Sequence, residues 1–390
     1  MGSAYITGVG MTAFGRFYER SLKDLAREAI SVALKDADLE LDDIQAVYFS
    51  NALAGIMLGQ ECIRGETICY DLGMDSVPVV NVENACASGG TALHLAAEAV
   101  RSGQFETVLA VGAEKMYDRD DRSRPFRALW GALDVELVPL PDPGQPLLRS
   151  PFIDVYAERA RNLMRTRGVT PEGFARVAAK AWANGALNPR AQRTTPRTVE
   201  EILASRMLVE PLTVDMCALT GDGAGAAIVS SRQPASGRPA VQVRGSQIRA
   251  LSPRPGAPGA AAAASAAAYE QAGIGPEDIS IAEVHDATAA GEMLSWVGVG
   301  LCPPGEEEAW AQGGRTERDG AVPVNVSGGL MARGHPVGAS GLGQVYELVR
   351  QLRGEAGPTQ IRPSRVALAH VGGGVINGET AVACVNLLAI

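Results

Sequence analysis

The chain has no Cys-x-x-Cys pair, few aromatic residues (5%), only four histidines and no excess of basic charge. Each shortage excludes something. The six cysteines (Cys62, Cys69, Cys86, Cys217, Cys302 and Cys384) are dispersed, which suits neither a disulfide framework nor a paired-cysteine zinc site; in a large cytosolic chain they read as free thiols, one of which can be reactive. A net charge of −9 excludes a general nucleic-acid binder, because affinity for the phosphate backbone rests on clustered Lys and Arg. No apolar run is long enough to cross a bilayer. No basic segment with a cleavable apolar core precedes the stretch Ala4 to Gly10, so neither a membrane nor a secretory route is expected and a cytoplasmic location is. With 390 residues, 45 of them glycine, and 46% hydrophobic composition, the chain exceeds one ordinary core, and a duplicated or two-domain α/β architecture is expected.

Internal similarity favours the duplication. Residues 37–47 show a helical pattern, a short turn and an acidic-Ile step before the strand-like Val47-Tyr48-Phe49, and residues 272–282 do the same before Ala282-Glu283-Val284. Further on, Ala87-Ser88-Gly89-Gly90 opens an Ala-rich helix that ends near Arg101 and is followed by the strand Thr107 to Gly112. Ala339-Ser340-Gly341 opens its counterpart, ending near Arg353 and followed by Val366 to His370. Two βαβ-type units about a pseudo-twofold are expected, in α/β/α/β/α layers. The first half takes residues 1–116 and 216–235, and the second residues 236–390. Residues 117–215 form an inserted cap or loop domain with helices at 154–167 and 172–184, a charged run at 118–122 and a Pro-rich stretch at 138–146. A linker is expected at 231–239 and a flexible turn at 252–256.

Cys86 sits where a strand ending near Val82 turns into a helix of small residues. A helix N-terminus offers unpaired amides and the positive end of a dipole, which favour a thiolate and can hold an acyl oxygen, so Cys86 is the candidate nucleophile. Gly334-His335-Pro336 lies in the Gly-rich segment Asn325 to Gly341, ahead of the matching helix, which faces His335 towards Cys86 across the pseudo-twofold as a Cys-His pair. His285 follows another central strand, and His370 ends the last matched one before Val371-Gly372-Gly373-Gly374, positions where α/β sheets present catalytic groups. His94 lies among Leu93, Leu95 and Ala96 and reads as a packed helix residue.

These segments resemble the thiolases, in particular the archaeal-type and sterol-carrier-protein-type acetyl-CoA acetyltransferases, nearly end to end: Gly8 to Gly15, Ala85 to Gly89, Val111 to Met116, Asn184 to Pro189, Asp222 to Ala224, Glu283 to Asp286 and Asn325 to Gly341. The resemblance implies the thiolase fold and an acyl-Cys86 intermediate activated by His335. It also implies His285 at an oxyanion site and loop support from Asn325, Gly334 and Gly373. A coenzyme A thioester is the implied substrate, with an acyl-carrier thioester as alternative, and neither a metal nor a tightly bound cofactor is implied. A homodimer or tetramer and a small OB-fold, zinc-ribbon partner are also implied. This chain departs from the pattern twice. His285-Asp286-Ala287-Thr288 stands where that branch reads His-Asp-Cys-Phe, and His370-Val371-Gly372 stands where degradative thiolases read Cys-x-Gly. The second acid/base cysteine is missing from both places, so a specialised acyl acceptor or an unusual β-ketoacyl thioester is expected, with His370 or His335 taking over the proton transfer. Two further readings fit the fold: a carbon-carbon lyase or aldolase working without an acyl-cysteine, and a non-catalytic scaffold subunit. The retained Cys86, His335 and His285 argue against both.

Overall fold

The computed structural model describes residues 2–142, 145, 147–234 and 237–390. The chain starts with β1 (Tyr5–Met11) and α1 (Leu22–Ala37), and a 3-10 turn leads to β2 (Ala46–Ser50). Short helices α2 (Ala54–Leu58) and α3 (Arg64–Leu72) precede β3 (Val79–Val82), α4 (Ser88–Arg101) and β4 (Thr107–Glu114). Then come α5 (Arg124–Trp130), α6 (Phe152–Arg167), α7 (Pro171–Leu187), α8 (Val199–Leu203) and a small hairpin of β5 (Met207–Val209) and β6 (Leu212–Thr213). After β7 (Gly223–Ser230) the pattern restarts with β8 (Val241–Ala250), α9 (Ala260–Ala272) and β9 (Ile281–Glu283). It continues through α10 (Ala289–Gly298), α11 (Glu307–Gln312), α12 (Gly329–Arg333) and α13 (Ser340–Arg353) to β10 (Val366–Ile376) and β11 (Glu379–Ala389).

The strand order β3-β2-β4-β7-β1-β8-β11-β10-β9 displays the duplication. Outward from the centre, β1-β7-β4-β2-β3 on one side matches β8-β11-β10-β9 on the other, and an isolated parallel bridge from Ala282 to Val324 takes the place of β3. The outer pairings are parallel and the inner ones antiparallel in both halves. Three packed clusters define the layers. One holds α1 and α3 against the outer face of the first half, a second holds α9 and α10 with the second half, and the central one holds α4 and α13 with strands from both. The thiolase fold expected from the sequence is the fold observed.

Local chemistry sets the ends of these elements. Ser21 caps α1, accepting from the Asp24 amide while Asp24 accepts from the Ser21 amide, and Leu22, Leu25, Ala26, Ala29, Ile30 and Ala33 form its buried stripe. Asp38, at φ 57°, ends it. The helical pattern read beyond residue 37 is therefore a single 3-10 turn, Leu41–Asp43. The last strand also differs from expectation: β10 does not stop at His370 but pairs with β11 as far as Ile376, with Gly372 and Gly373 in the ladder and Gly374, at φ 61°, the one position left out of the register. Only part of the 117–215 insertion overlies the space between the halves. α7 packs in one hydrophobic cluster with α9 and α10, with Phe174 and Trp182 buried there. The boundary between 235 and 236, the middle of the 231–239 linker and part of the 138–146 stretch lie outside the described residues. No helix among the described residues is long and apolar enough to cross a membrane.

In the central layer α4 crosses α13 at their N-terminal ends through glycine. A Cβ on Gly89 would lie 3.0 Å from the Gly338 carbonyl oxygen and 3.0 Å from the Leu342 amide, and one on Gly341 would strike the Gly90 amide nitrogen. Gly341→Ala should therefore cost about 1–3 kcal/mol, the usual range for overpacking a close contact, measured by chemical denaturation. A stability within error of the native protein would show that the crossing tolerates separation.

Candidate active site

Cys86 occupies a 3-10 turn, Ala85–Ala87, directly ahead of α4. Ala85 takes φ 48°, an uncommon conformation for a residue with a side chain. The turn is fixed from within: the Ser88 hydroxyl donates to the Ala85 carbonyl at 2.6 Å and accepts from the Asn84 amide at 2.8 Å. His335 reaches it from the other half. Its Nε2 lies 3.2 Å from Cys86 Sγ, and its Nδ1 lies 2.7 Å from Ser340 Oγ. Ser340 has one hydroxyl hydrogen and donates it to the Pro336 carbonyl at 2.8 Å, so it must accept from His335 Nδ1–H. Nε2 is left as a lone pair facing the thiol. Glu114, at the end of β4, braces the same loop by accepting from the Gly338 amide at 2.9 Å and from the Ala52 and Leu53 amides at 3.0 and 3.1 Å.

The environment is dry. Burial pushes the Cys86 thiol up to about 12, and the Glu114 and Glu83 carboxylates add to it. The thiolate expected from a helix N-terminus is therefore not the resting form. One reason is visible in the turn, where the Ala87 and Ser88 amides are already spent on the Asn84 and Ala85 carbonyls. Burial, with Arg333 adding, brings His335 down to about 4. His285 is driven well below the usual histidine range by burial first and then by His335, His370 and Arg159. The resting site is a neutral thiol beside neutral imidazoles.

His285 follows β9, and its ring meets that of His335 edge-on with centroids 5.6 Å apart. Ligand atoms of Cys86, His285 and His335 lie within 4.8 Å of one another, the one such cluster of potential metal ligands among the described residues. These three line a cavity of about 210 Å³ whose walls include Phe126, Leu129, Phe152, Tyr156, Leu208 and Val375. Ala287, at the place where the resemblance implies a cysteine, lines it too, as do Cys217 and Gly372. His370 does not. It faces a smaller space of about 70 Å³ behind His285, and burial brings it down to about 4.

The expected support residues sit outside the cavity. Asn325 accepts from the Val284 amide at 2.8 Å and donates to Glu292 at 3.0 Å, which fixes the strand end that carries His285. Gly334 takes φ 111°, a conformation closed to other residues, immediately before His335. Gly373 packs beneath the Cys86 turn, where a Cβ would strike the Asn84 carbonyl. Cys384 is core: its sulfur packs against Gly90 in the same apolar cluster as Cys86, because β11 runs beneath the start of α4. His94 Nδ1 lies 2.9 Å from Ser246 Oγ, as a packed helix residue. Sequence reasoning missed Ser340 and Glu114. For Ser340 the repeat held the signal, since Ala339-Ser340-Gly341 repeats Ala87-Ser88-Gly89 and both serines close the turn before their helix.

Residues 4–199 match the family model described as thiolase, N-terminal domain, and residues 240–385 that described as thiolase C-terminal domain-like. The chain is 36% identical over 393 residues to an acetyl-CoA acetyltransferase of Methanothermobacter thermautotrophicus, covering 97% of each chain. It is 34% identical over 381 residues to benzoylsuccinyl-CoA thiolase subunit BbsB of Thauera aromatica, covering 95% of this chain and 94% of that one. Among solved structures, an Ltp2-ChsH2(DUF35) aldolase superposes with a TM-score of 0.80 at 25% identity, covering 100% of this chain and 98% of that one. Human mitochondrial 3-ketoacyl-CoA thiolase superposes with a TM-score of 0.73 at 18% identity over 100% of this chain and 98% of that one, a likeness of fold.

A base lowered to about 4 and a thiol raised to about 12 give a signed pH dependence. His335 is neutral above its value, so the base is lost only as pH falls through it, and Cys86 stays protonated throughout. Alkylation of Cys86 by iodoacetamide should be flat between about pH 6 and 9, and His335→Asn should turn the profile into one rising up to about tenfold per pH unit with the thiolate fraction. A native profile with that slope would mean that the thiol reacts without its base.

Proposed function

The chain belongs to the thiolase family, and on that premise we propose an acyltransferase that holds its acyl group on Cys86 and makes or breaks a carbon-carbon bond at that acyl carbon. The observation that carries this is the Cys86 Sγ to His335 Nε2 contact at 3.2 Å, with Nδ1 engaged at Ser340. As sulfur attacks a thioester carbonyl, Nε2 takes the thiol proton and then gives it to the departing coenzyme A thiolate. In the second half-reaction the acceptor carbon loses a proton to Nε2, and His285 donates to the oxygen on which negative charge develops. The carbon attacks the acyl carbonyl, and Cys86 leaves with the proton returned from His335. The acyl group has passed from sulfur to carbon, and the carbon's proton has ended on Cys86.

The acceptor is proposed to be specialised. General-base help is worth about 10² to 10⁴ in rate, and Ala287 supplies none. A buried imidazole near 4 is a weak base, so the acceptor must be one that needs no strong base: a carbon that forms a stabilised enolate, an electron-rich ring that attacks first and gives up its proton afterwards, or in reverse the leaving carbon of an unusual β-ketoacyl thioester. The apolar walls suit an apolar acyl group, carried by coenzyme A or an acyl-carrier protein. The aldolase reading has one observation in its favour, the likeness to the Ltp2-ChsH2(DUF35) aldolase; the Cys86–His335 contact weighs against it, and against a scaffold. The same neighbour's name pairs it with a second component, ChsH2(DUF35), which supports a small partner protein for this chain.

A homodimer is supported by the outer edge of the sheet. β3 is an unpaired edge strand, and Val80 on it, with Ile56, Ile63 and Tyr70 on the neighbouring segment, is exposed, the kind of edge and apolar surface that proteins cover. Val80→Lys should lower the sedimentation mass towards that of a monomer, and an unchanged mass would exclude this edge. The acyl-enzyme is tested by intact-mass spectrometry after mixing with a panel of acyl-CoA thioesters. An adduct is expected on the native chain and absent in Cys86→Ala. A folded protein that takes up no acyl group from any donor, or an adduct that survives the substitution, overturns the proposal.

A further inference from the structure

The smaller cavity behind His285 is built from polar groups whose hydrogen bonds the protein does not complete. His370 is 4% exposed and His285 6% exposed. Neither ring nitrogen of His370, nor Nδ1 of His285, has a hydrogen-bond partner among the described residues. Both rings line the same space of about 70 Å³ with Ser295, Thr380 and Arg159. An unmet buried polar group costs about 1–3 kcal/mol, so three such nitrogens around one space point to bound water, which needs a polar site with room for at least one molecule. Two of the other polar groups at this wall are committed: the Ser295 hydroxyl donates to the His285 carbonyl at 2.8 Å, and the Arg159 guanidinium donates to the Gly378 carbonyl at 2.7 and 3.0 Å.

His285 forms the partition, since it lines this space and the reactive cavity alike. We propose that His370 is a positioning residue which acts through a water in the smaller cavity. The water accepts from a His370 N–H and donates to His285 Nδ1, which fixes the His285 proton on Nε2, turned towards the acyl group on Cys86. A neutral imidazole can donate from only one nitrogen, and the bond made by the other decides which. The depressed values of both rings keep them neutral, as an uncharged donor to a developing oxyanion requires. No proton is transferred between the rings. The inference deepens the acyl-transfer reading and rests on it for what the Nε2–H does, but the tautomer itself can be tested without substrate.

The test is nitrogen-15 NMR of histidine-labelled protein, with the His285 signals assigned by His285→Asn. In the resting enzyme His285 is expected as the Nε2–H tautomer. His370→Leu should shift it to the other tautomer or to a mixture, and His370→Gln, which can still hold a water, should restore the native pattern. His285 already protonated on Nδ1 in the native protein, or unchanged in His370→Leu, overturns the proposal. Should Cys86 take up an acyl group from none of the panel, the acyl-transfer reading fails while the tautomer result still stands or falls alone. Where an acyl donor is found, His370→Leu should leave Cys86 acylation within about twofold and slow the carbon-carbon step about tenfold to a hundredfold, the scale of an outer-shell histidine partner. Equal slowing of both steps would mark a structural role only.

Discussion

Everything chemical in this molecule hangs on the glycine crossing of α4 and α13. Neither half has a site of its own: the first brings the Cys86 turn to the start of one helix, and the second brings the His335 loop to the start of the other. Only a backbone-to-backbone approach at Gly89, Gly90 and Gly341 lets the two helix starts meet closely enough for an imidazole nitrogen to touch the sulfur. Duplication thus produces more than a larger core. It creates a place where two equivalent turns face one another, and the two differ at the decisive position, with Cys86 on one side and Gly338 at the matching position on the other.

Such a meeting point is necessarily buried, and burial decides the style of chemistry. Charges are costly there, so the thiol and the three imidazoles sit neutral, and what matters is the direction in which each hydrogen points. His335 has its direction set by Ser340 and Pro336, a chain of two hydrogen bonds within one loop. Glu114, accepting from the Ala52, Leu53 and Gly338 amides and from the Asn51 side chain and pushed by burial up to about 7, ties that loop to the first half. On the acyl-transfer reading, these buried polar groups hold His335 so that it acts at one atom.

Most of the fold could be read from the chain. The paired helix openings at Ala87 and Ala339, each followed by a buried strand, announced the duplication, and the strand-to-helix position of Cys86 with the Gly-His-Pro turn at 334–336 announced the two partners that meet. What could not be read depends on distances between segments remote in sequence. Ser340 looks like any residue opening a helix until Pro336 is seen to take its hydrogen. His370 reads as a strand end because three glycines follow it, but β10 runs on to Ile376, and Val371 and Gly373, on the alternate face of the strand from His370, are the residues that meet the Cys86 turn. The walls that include Phe126 and Tyr156 come from an insertion with no periodicity that points to Cys86, and α7 of the same insertion packs into a core cluster with α9 and α10.

The two missing cysteines take on a physical meaning in this setting. Ala287 leaves apolar space in the reactive cavity where a second thiol is expected, and His370 removes the other candidate position to a separate chamber. A site that loses a strong acid/base while keeping its nucleophile retains the capacity to accept an acyl group and gives up the capacity to activate an unreactive carbon. On the proposed function, such a site works on a carbon partner already activated by conjugation or by a second carbonyl, since a neutral imidazole in a dry cavity is a weak base. On the acyl-transfer reading, the acceptor's own chemistry is then the specificity filter: an acyl-enzyme facing acceptors of ordinary acidity waits, and turns over when the right carbon enters.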